Sequence, residues 1–532
     1  MIYNPLQEFQ NKFKDLHRTN TERYLDELVT RAGVNIGENR KTVKQYLVLK
    51  EKLKKLRRKY NWWRFLRVLM ILTLILIPLV ILKITPKIRA LREEVQHADQ
   101  KASELLRLAQ EQMEPLNALF SDRDALCIIE KTIPLLTFAP YLSVEQERNM
   151  IVNYDFDICN SMSQSTVDVL AGTYNENPFL FESRRTHTMG TEIYHGYRTI
   201  HWTETYRDSK GNLCTRTRTQ TLHACVTKPK PLYSTQVALH YCAQGGPDLS
   251  FSRDATHLER KSEREIERYV KRGEKRLKKK TDQALRQNRD FVSMSNTDFE
   301  VLFDALDRTD EVQFRTLFTP LAQTNMVELL RSTVGYGDDF DFVKQKRANR
   351  IVSKHSQQRA LMLRPEGYAS YSFDETKAGF VQQNVAFFKA VYFDFAPLWA
   401  IPIYQERPVH ALKPIGQHEQ VCSNRECEAL ANSIPQGLVA HPQTKTEAIL
   451  NTFSTRSRDG VDEICVLAYS YDKVPRVDFI PVFGGDGRMH SVPVPWQEYI
   501  PLESEKHFFV ATAERAGQSR ILAQRNGLCI FQ

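Results

Sequence analysis

Ser332–Phe340 reads STVGYGDDF. Two glycines around a tyrosine, followed by two aspartates, suit two very different backbones. One is an irregular segment that lines a pore with its carbonyls at membrane depth. The other is a loop that closes a helix in a soluble α+β protein. The first needs apolar spans on both sides, because non-helical backbone survives at that depth only inside surrounding transmembrane protein. The residues before it, EVQFRTLFTPLAQTNMVELLR, carry Glu311, Arg315, Glu328 and Arg331, and those after it read DFDFVKQKRANR. Neither flank can cross a bilayer. The stretch therefore reads as a helix ending in a Gly-rich loop, with Gly335 and Gly337 as cap and turn residues.

Thr333–Asp338 matches, letter for letter, the selectivity-filter signature of potassium channels. Without bracketing spans the match is fortuitous. The membrane signal lies elsewhere, in RFLRVLMILTLILIPLVILKITPK, where the fifteen residues Val68 to Leu82 carry no charge. Taken as Phe65 to Thr85, a helix rising about 1.5 Å per residue approaches the roughly 30 Å of a hydrocarbon core. Trp62 and Trp63 stand where an interfacial belt belongs, and Arg64, Arg67, Lys83 and Lys87 can snorkel from the ends. Apolar residues recur in heptads on both sides. Tyr46, Leu49, Leu53, Leu56, Tyr60 and Trp63 precede the segment, and Ile84, Ile88, Leu91, Val95, Ala98, Ala102, Leu105 and Ala109 follow it. Each set reads as a coiled-coil seam that would make a homo-oligomer, or as an amphipathic helix lying on its own domain.

Charge sets the orientation. Residues 41 to 67 hold eleven Lys/Arg against one Glu, whereas the twenty residues after Leu82 hold five. The positive-inside rule then puts the N-terminus in the cytoplasm of a single-pass protein. The side occupied by the C-terminal region stays open, since a hairpin dipping into one leaflet, with the two seams packed antiparallel, is the alternative. The formal net charge of +10 is concentrated in residues 41–67 and 258–289, which argues against nucleic acid as a partner.

Residues 1–60 read as a helical region with a basic coiled-coil segment, 61–87 as a membrane anchor and 88–118 as a coiled-coil stalk. A mixed α+β region follows, at 119–255, 256–292, 293–460 and 461–532. In the first of these, TIHWTETYRDSKGNLCTRTRTQTLHACV is a β-hairpin. With Arg207 opposite Asn212, one face carries His201, Arg216 and Arg218, suited to an anionic ligand or lipid head group, or simply to water. Residues 256–292 form a basic charged helix with a possible break at Gly273. VAFFKAVYFDFAPLWAIPIY, Val385 to Tyr404, contains Lys389, Asp394 and two prolines and reads as a buried core helix followed by extended chain. The last segment is β-rich, with Gly484–Gly487 as a hairpin turn.

The nine cysteines follow no disulfide pattern. Cys422 and Cys427, with His418 before them, lack the second ligand pair of a structural zinc site, so no metal is assigned. No catalytic motif occurs, and no catalytic or cofactor-binding residue is assigned.

YLDELVTRAGVNIGENRKTVKQY, the anchor with its basic flank, and DFEVLFDALDRTDEVQFRTLFTPLAQTNMVELLRS followed by GYGDDFDFVK resemble an uncharacterised family of bacterial membrane proteins. AGTYNENPFLFE is similar to others grouped as a domain of unknown function. The resemblance implies a bacterial source and a membrane address, and supplies no site residues. Two functions remain as expectations: a membrane-anchored interaction or scaffolding protein with a protein partner, or a tethered enzyme or ligand sensor in the α+β region. A deep pocket gathering titratable side chains would favour the second.

Overall fold

The structure is a computed structural model that describes residues 1–72, 83–156, 161–286, 294–305, 307–408, 420–517 and 519–532. The chain is α+β and divides into two units, each assembled from separated stretches: residues 6–134 with 362–393, and residues 1–5, 135–361 and 394–532.

The first unit is helical. Helix α1 (Lys14–Ala32) stops at Gly33, whose φ of 65° is the left-handed cap that glycine adopts without strain. Helices α2 (Ile36–Leu72) and α3 (Thr85–Asn117) carry the two apolar seams. They run antiparallel and use those seams on each other. Leu53 is buried with Ala98 and Ala102, and further along Tyr60, Trp63 and Met70 pack on Ile84 and Ile88. Arg57 and Asp99 pair across the seam at 2.8 Å. The expected membrane anchor, residues 61–87, runs from the end of α2 to the start of α3. The apolar heart of that stretch, residues 73–82, lies outside the described residues. No helix among the described residues is long and apolar enough to cross a membrane. At the other end of the pair, Leu25, Leu28, Met113, Leu116 and Phe120 form a core with α4 (Asp124–Thr132) through Ile128 and with Tyr368, Phe373 and Phe380.

The second unit holds two antiparallel sheets. The first has the order β1-β2-β3-β4-β7-β6-β5, from β1 (Leu136–Phe138), β2 (Gln164–Tyr174), β3 (Asn177–Arg207), β4 (Leu213–Cys242), β5 (Ser250–Arg253), β6 (Phe340–Gln345) and β7 (Ala348–Ser353). The second has the order β11-β12-β10-β9-β8, from β8 (Ile449–Arg458), β9 (Val461–Phe483), β10 (Met489–Thr512), β11 (Ile521–Arg525) and β12 (Leu528–Phe531). Helices α5 (Val144–Tyr154), α6 (Glu263–Arg286), α7 (Thr297–Phe303), α8 (Glu311–Leu317) and α9 (Pro320–Arg331) surround them. Helix α6 is the expected basic helix, and it does not break at Gly273. A Cβ there would meet Val301 Cγ1 at 2.2 Å, so the glycine allows α6 to close on α7. Of helix α10 (Phe373–Trp399), the core helix read from Val385 onward, only the part from Asp394 belongs to this unit, and Asp394 accepts from Ser356 Oγ at 2.9 Å and Arg359 Nη2 at 2.8 Å.

Strands β3/β4 and β9/β10 extend well beyond their sheets as two ribbons that pack face to face through Ile200, Leu222, Ala224, Val492 and Val494. Gly196 makes this possible: a Cβ there would lie 2.1 Å from the Pro493 carbonyl oxygen. The Gly484–Gly487 turn closes the second ribbon, with Gly484 N donating to Arg488 O at 2.8 Å.

The opening stretch is a loop between α9 and β6. Ser332 Oγ accepts from Val334 N and Gly335 N, and Gly337 takes a φ of 65°. Tyr336 stacks on His355 at 3.7 Å, Asp339 Oδ2 accepts from His355 N at 3.1 Å, and Asp338 is buried in an ion pair with Arg253.

Candidate functional site

Helix α11 (Asn424–Ser433) starts on Ser423, whose Oγ accepts from Glu426 N at 3.2 Å. It lies between the sheets. Cys427, Leu430 and Ala431 enter the core of the second sheet, and Ala429 joins Leu142, Met150, Val169 and Leu180 on the first. This placement carries three charged residues of one short helix, Arg425, Glu426 and Glu428, into the protein. Each must then find a partner, because burying a charge without one is costly. Glu426 accepts from Leu142 N at 2.8 Å and pairs with Arg525 at 3.1 Å. Arg425 pairs with Glu147 at 2.8 Å and with Glu182 at 3.3 Å.

Glu182 is the hub. It sits on β3 at 2% exposure and binds Arg184 Nη2 at 2.9 Å and Thr166 Oγ1 at 2.8 Å, with His240 Nε2 3.5 Å away. Burial pushes its carboxyl up, but the His240 contact and the two guanidiniums outweigh burial and hold it well below the usual carboxylate range. Burial lowers the pKa of His240, against the pull of Glu182, and favours the neutral ring. Glu428 goes the other way. Thr166 N donates to it, yet burial dominates and its pKa is pushed up to about 8, so it keeps its proton at neutral pH. Thr166 thus touches one ionised and one protonated carboxyl.

These residues line two adjoining cavities that share Gln164 and Arg184. One, about 310 Å³, is walled by Glu182, Arg184, His240, Asn349 and Arg350. The other, about 240 Å³, is walled by Glu147, Thr166, Arg184, Arg425, Glu428 and Asn451. Arg425 Nη2 has no hydrogen-bond partner among the described residues, although the side chain is only 5% exposed. With three guanidiniums, a protonated Glu428 and a neutral His240, the walls offer donors in excess, which suits an anionic ligand of metabolite size. No hydroxyl or thiol nucleophile hydrogen-bonds to His240 among the described residues.

The residues singled out from the sequence lie elsewhere. The β3–β4 register pairs Arg207 with Leu213, not with Asn212, because Asp208 to Asn212 forms a five-residue loop held by Asp208 Oδ1. A one-residue shift moves every side chain to the other face. Arg216 and Arg218 therefore sit together on Glu204, at 3.1 and 2.9 Å, while His201 faces the opposite way against Thr219. The three do not make one cationic face. Near the end of α2, Trp62 packs edge-on against Trp63, and Lys87 lies 4.2 Å over Trp63. Arg64 and Lys83 are exposed and Arg67 is half-buried. Cys422 and Cys427 are buried with their sulfurs 3.0 Å apart, and His418 lies outside the described residues. The cavity residues were passed over. The available signal was a glutamate inside an apolar strand, Glu182 in NPFLFES, since an unpaired charge does not survive there.

Comparison with protein-family models, with curated proteins and with solved structures returns no match.

Proposed function

We propose that the chain is a membrane-attached ligand-binding protein whose α+β unit takes up a small anion, such as a carboxylate or phosphate compound. The carrying observation is Arg425: a buried guanidinium in a cavity wall with one nitrogen left without a hydrogen-bond partner among the described residues. Attachment is supported by the antiparallel α2/α3 pair. Its helices lead to the apolar residues 73–82, and Trp62, Phe65, Val68 and Leu69 are exposed beside basic side chains. We read the hairpin end as dipping into one leaflet, with the N-terminus and the α+β unit both on the cytoplasmic side. Because each seam is covered by the other within the chain, self-association through them is not part of this reading.

Two secondary readings have observations of their own. Glu428, which keeps its proton at neutral pH beside the ionised Glu182, would serve as a general acid in catalysis. A scaffolding role is favoured by the outward face of the second ribbon, where Val477, Phe479, Phe483 and Met489 are exposed.

Thermal unfolding in chloride, inorganic phosphate and succinate tests the main reading. A saturable rise in Tm with phosphate or succinate, lost in Arg184→Ala, is expected. No saturable rise with either, or an equal rise in Arg184→Ala, contradicts it.

A further inference from the structure

Strands β9 and β10 bring a second set of chemistry-bearing side chains together, on the face of the second sheet opposite its core. Ile464, Val466 and Ala468 point inward, so Glu463 and Cys465 point out. The register sets Cys465 directly against His507 and Glu463 against Phe509, and Glu505 shares the face of His507 two residues on. The result is a thiol, an imidazole and a carboxylate whose ligand atoms all lie within 4.8 Å of one another.

The separations fit one small cation. Cys465 Sγ is 3.4 Å from Glu505 Oε1, and His507 Nε2 is 3.6 Å from the same carboxylate oxygen. Tetrahedral zinc, with its usual bond lengths, places sulfur and oxygen ligands about 3.5 Å apart and nitrogen and oxygen ligands about 3.3 Å apart. The second nitrogen of His507, Nδ1, lies 3.8 Å from Glu463 Oε1. Carboxylates in that position orient metal-binding histidines.

We propose that Cys465, Glu505 and His507 form a zinc site, with Glu463 positioning His507 and the fourth coordination position open to water. Thiolate, imidazole and carboxylate together match zinc better than the harder magnesium or calcium ions. Phe453 and Phe509 are exposed on either side. This site rests on neither the anion cavity nor membrane attachment.

The test uses the full chain, stripped of metal with a chelator and titrated with Co²⁺ and then with Zn²⁺. One Co²⁺ per chain is expected, with a thiolate-to-cobalt charge-transfer band and tetrahedral visible bands that Zn²⁺ displaces. Cys465→Ser should lose the charge-transfer band while keeping its circular dichroism spectrum. His507→Gln, an exposed substitution that spares the fold, should weaken binding at least about tenfold, and Glu463→Gln by about 10–100-fold. Cys225→Ser is the control, because Cys225 also stands opposite a histidine, His195. The proposal is overturned if the stripped chain gives no band, if the band survives Cys465→Ser, or if Cys225→Ser removes it.

Discussion

Asp338 and Arg253 have side chains with no solvent exposure, and each supplies the other's counter-charge. Thr256 N adds a hydrogen bond to Asp338 at 3.0 Å, and Arg253 Nη1 donates to the Phe340 carbonyl at 3.1 Å. Asp338→Asn would leave the guanidinium buried without a charge partner, and a cost of about 3–5 kcal/mol in unfolding free energy is expected from chemical denaturation. The joint replacement Arg253→Met with Asp338→Leu should recover most of it, because burying neither charge avoids the desolvation that the pair has to offset. At this scale the sequence revealed residue types but not partners. The loop at Gly335 and Gly337 could be read from the glycines and the charged flanks. That Asp338 meets Arg253, or that Glu182 meets Arg425, depends on contacts between residues far apart in the chain, which no local pattern encodes. The cavity escaped notice for the same reason.

Elements were more legible, because periodicity is a local property. The hairpins over 200–226 and 461–512, the basic helix, the core helix carrying Asp394 and the helical breaks near Gly33 all follow from alternation, heptads and turn residues. Register and the faces of elements did not. The loop after Arg207 is one residue longer than read, and that alone turned His201 away from Arg216 and Arg218. Gly273 looked like a helix break and is instead a contact, and the two seams pack within one chain. Gly196 gives an element-scale prediction. Gly196→Val should force the ribbons apart at Pro493, exposing Trp202, which packs against the core between the two ribbons. A red-shifted tryptophan emission and faster hydrogen exchange in residues 194–202 are expected, with little change in the sheet cores. Unchanged emission and exchange would show that the ribbons do not depend on this close approach.

At the scale of the whole molecule, the proposed function assigns two tasks to separate units, membrane attachment to the helical unit and anion binding to the cavity of the α+β unit. Fold class was legible from composition and pattern, whereas the interleaving of the units was not, since residues 362–393 belong with the N-terminal helices although their local pattern resembles that of their neighbours. The hairpin reading predicts that tags at both ends are protected together in right-side-out membrane vesicles and digested together in inside-out ones. Digestion of the C-terminal tag alone in right-side-out vesicles would favour a full span. The most direct measurement concerns the cavity. Glu428 ionises at about 8, so below that pH its proton is available to an anion and above it a carboxylate repels one. Titration calorimetry with succinate and with inorganic phosphate should therefore show binding at pH 6.5 that fades as the pH passes about 8. Glu428→Gln, which keeps a neutral side chain at every pH, should retain the binding above that point. No binding of either anion at pH 6.5, or the same loss at high pH in Glu428→Gln, would contradict an anion held between Arg184, Arg425 and Glu428.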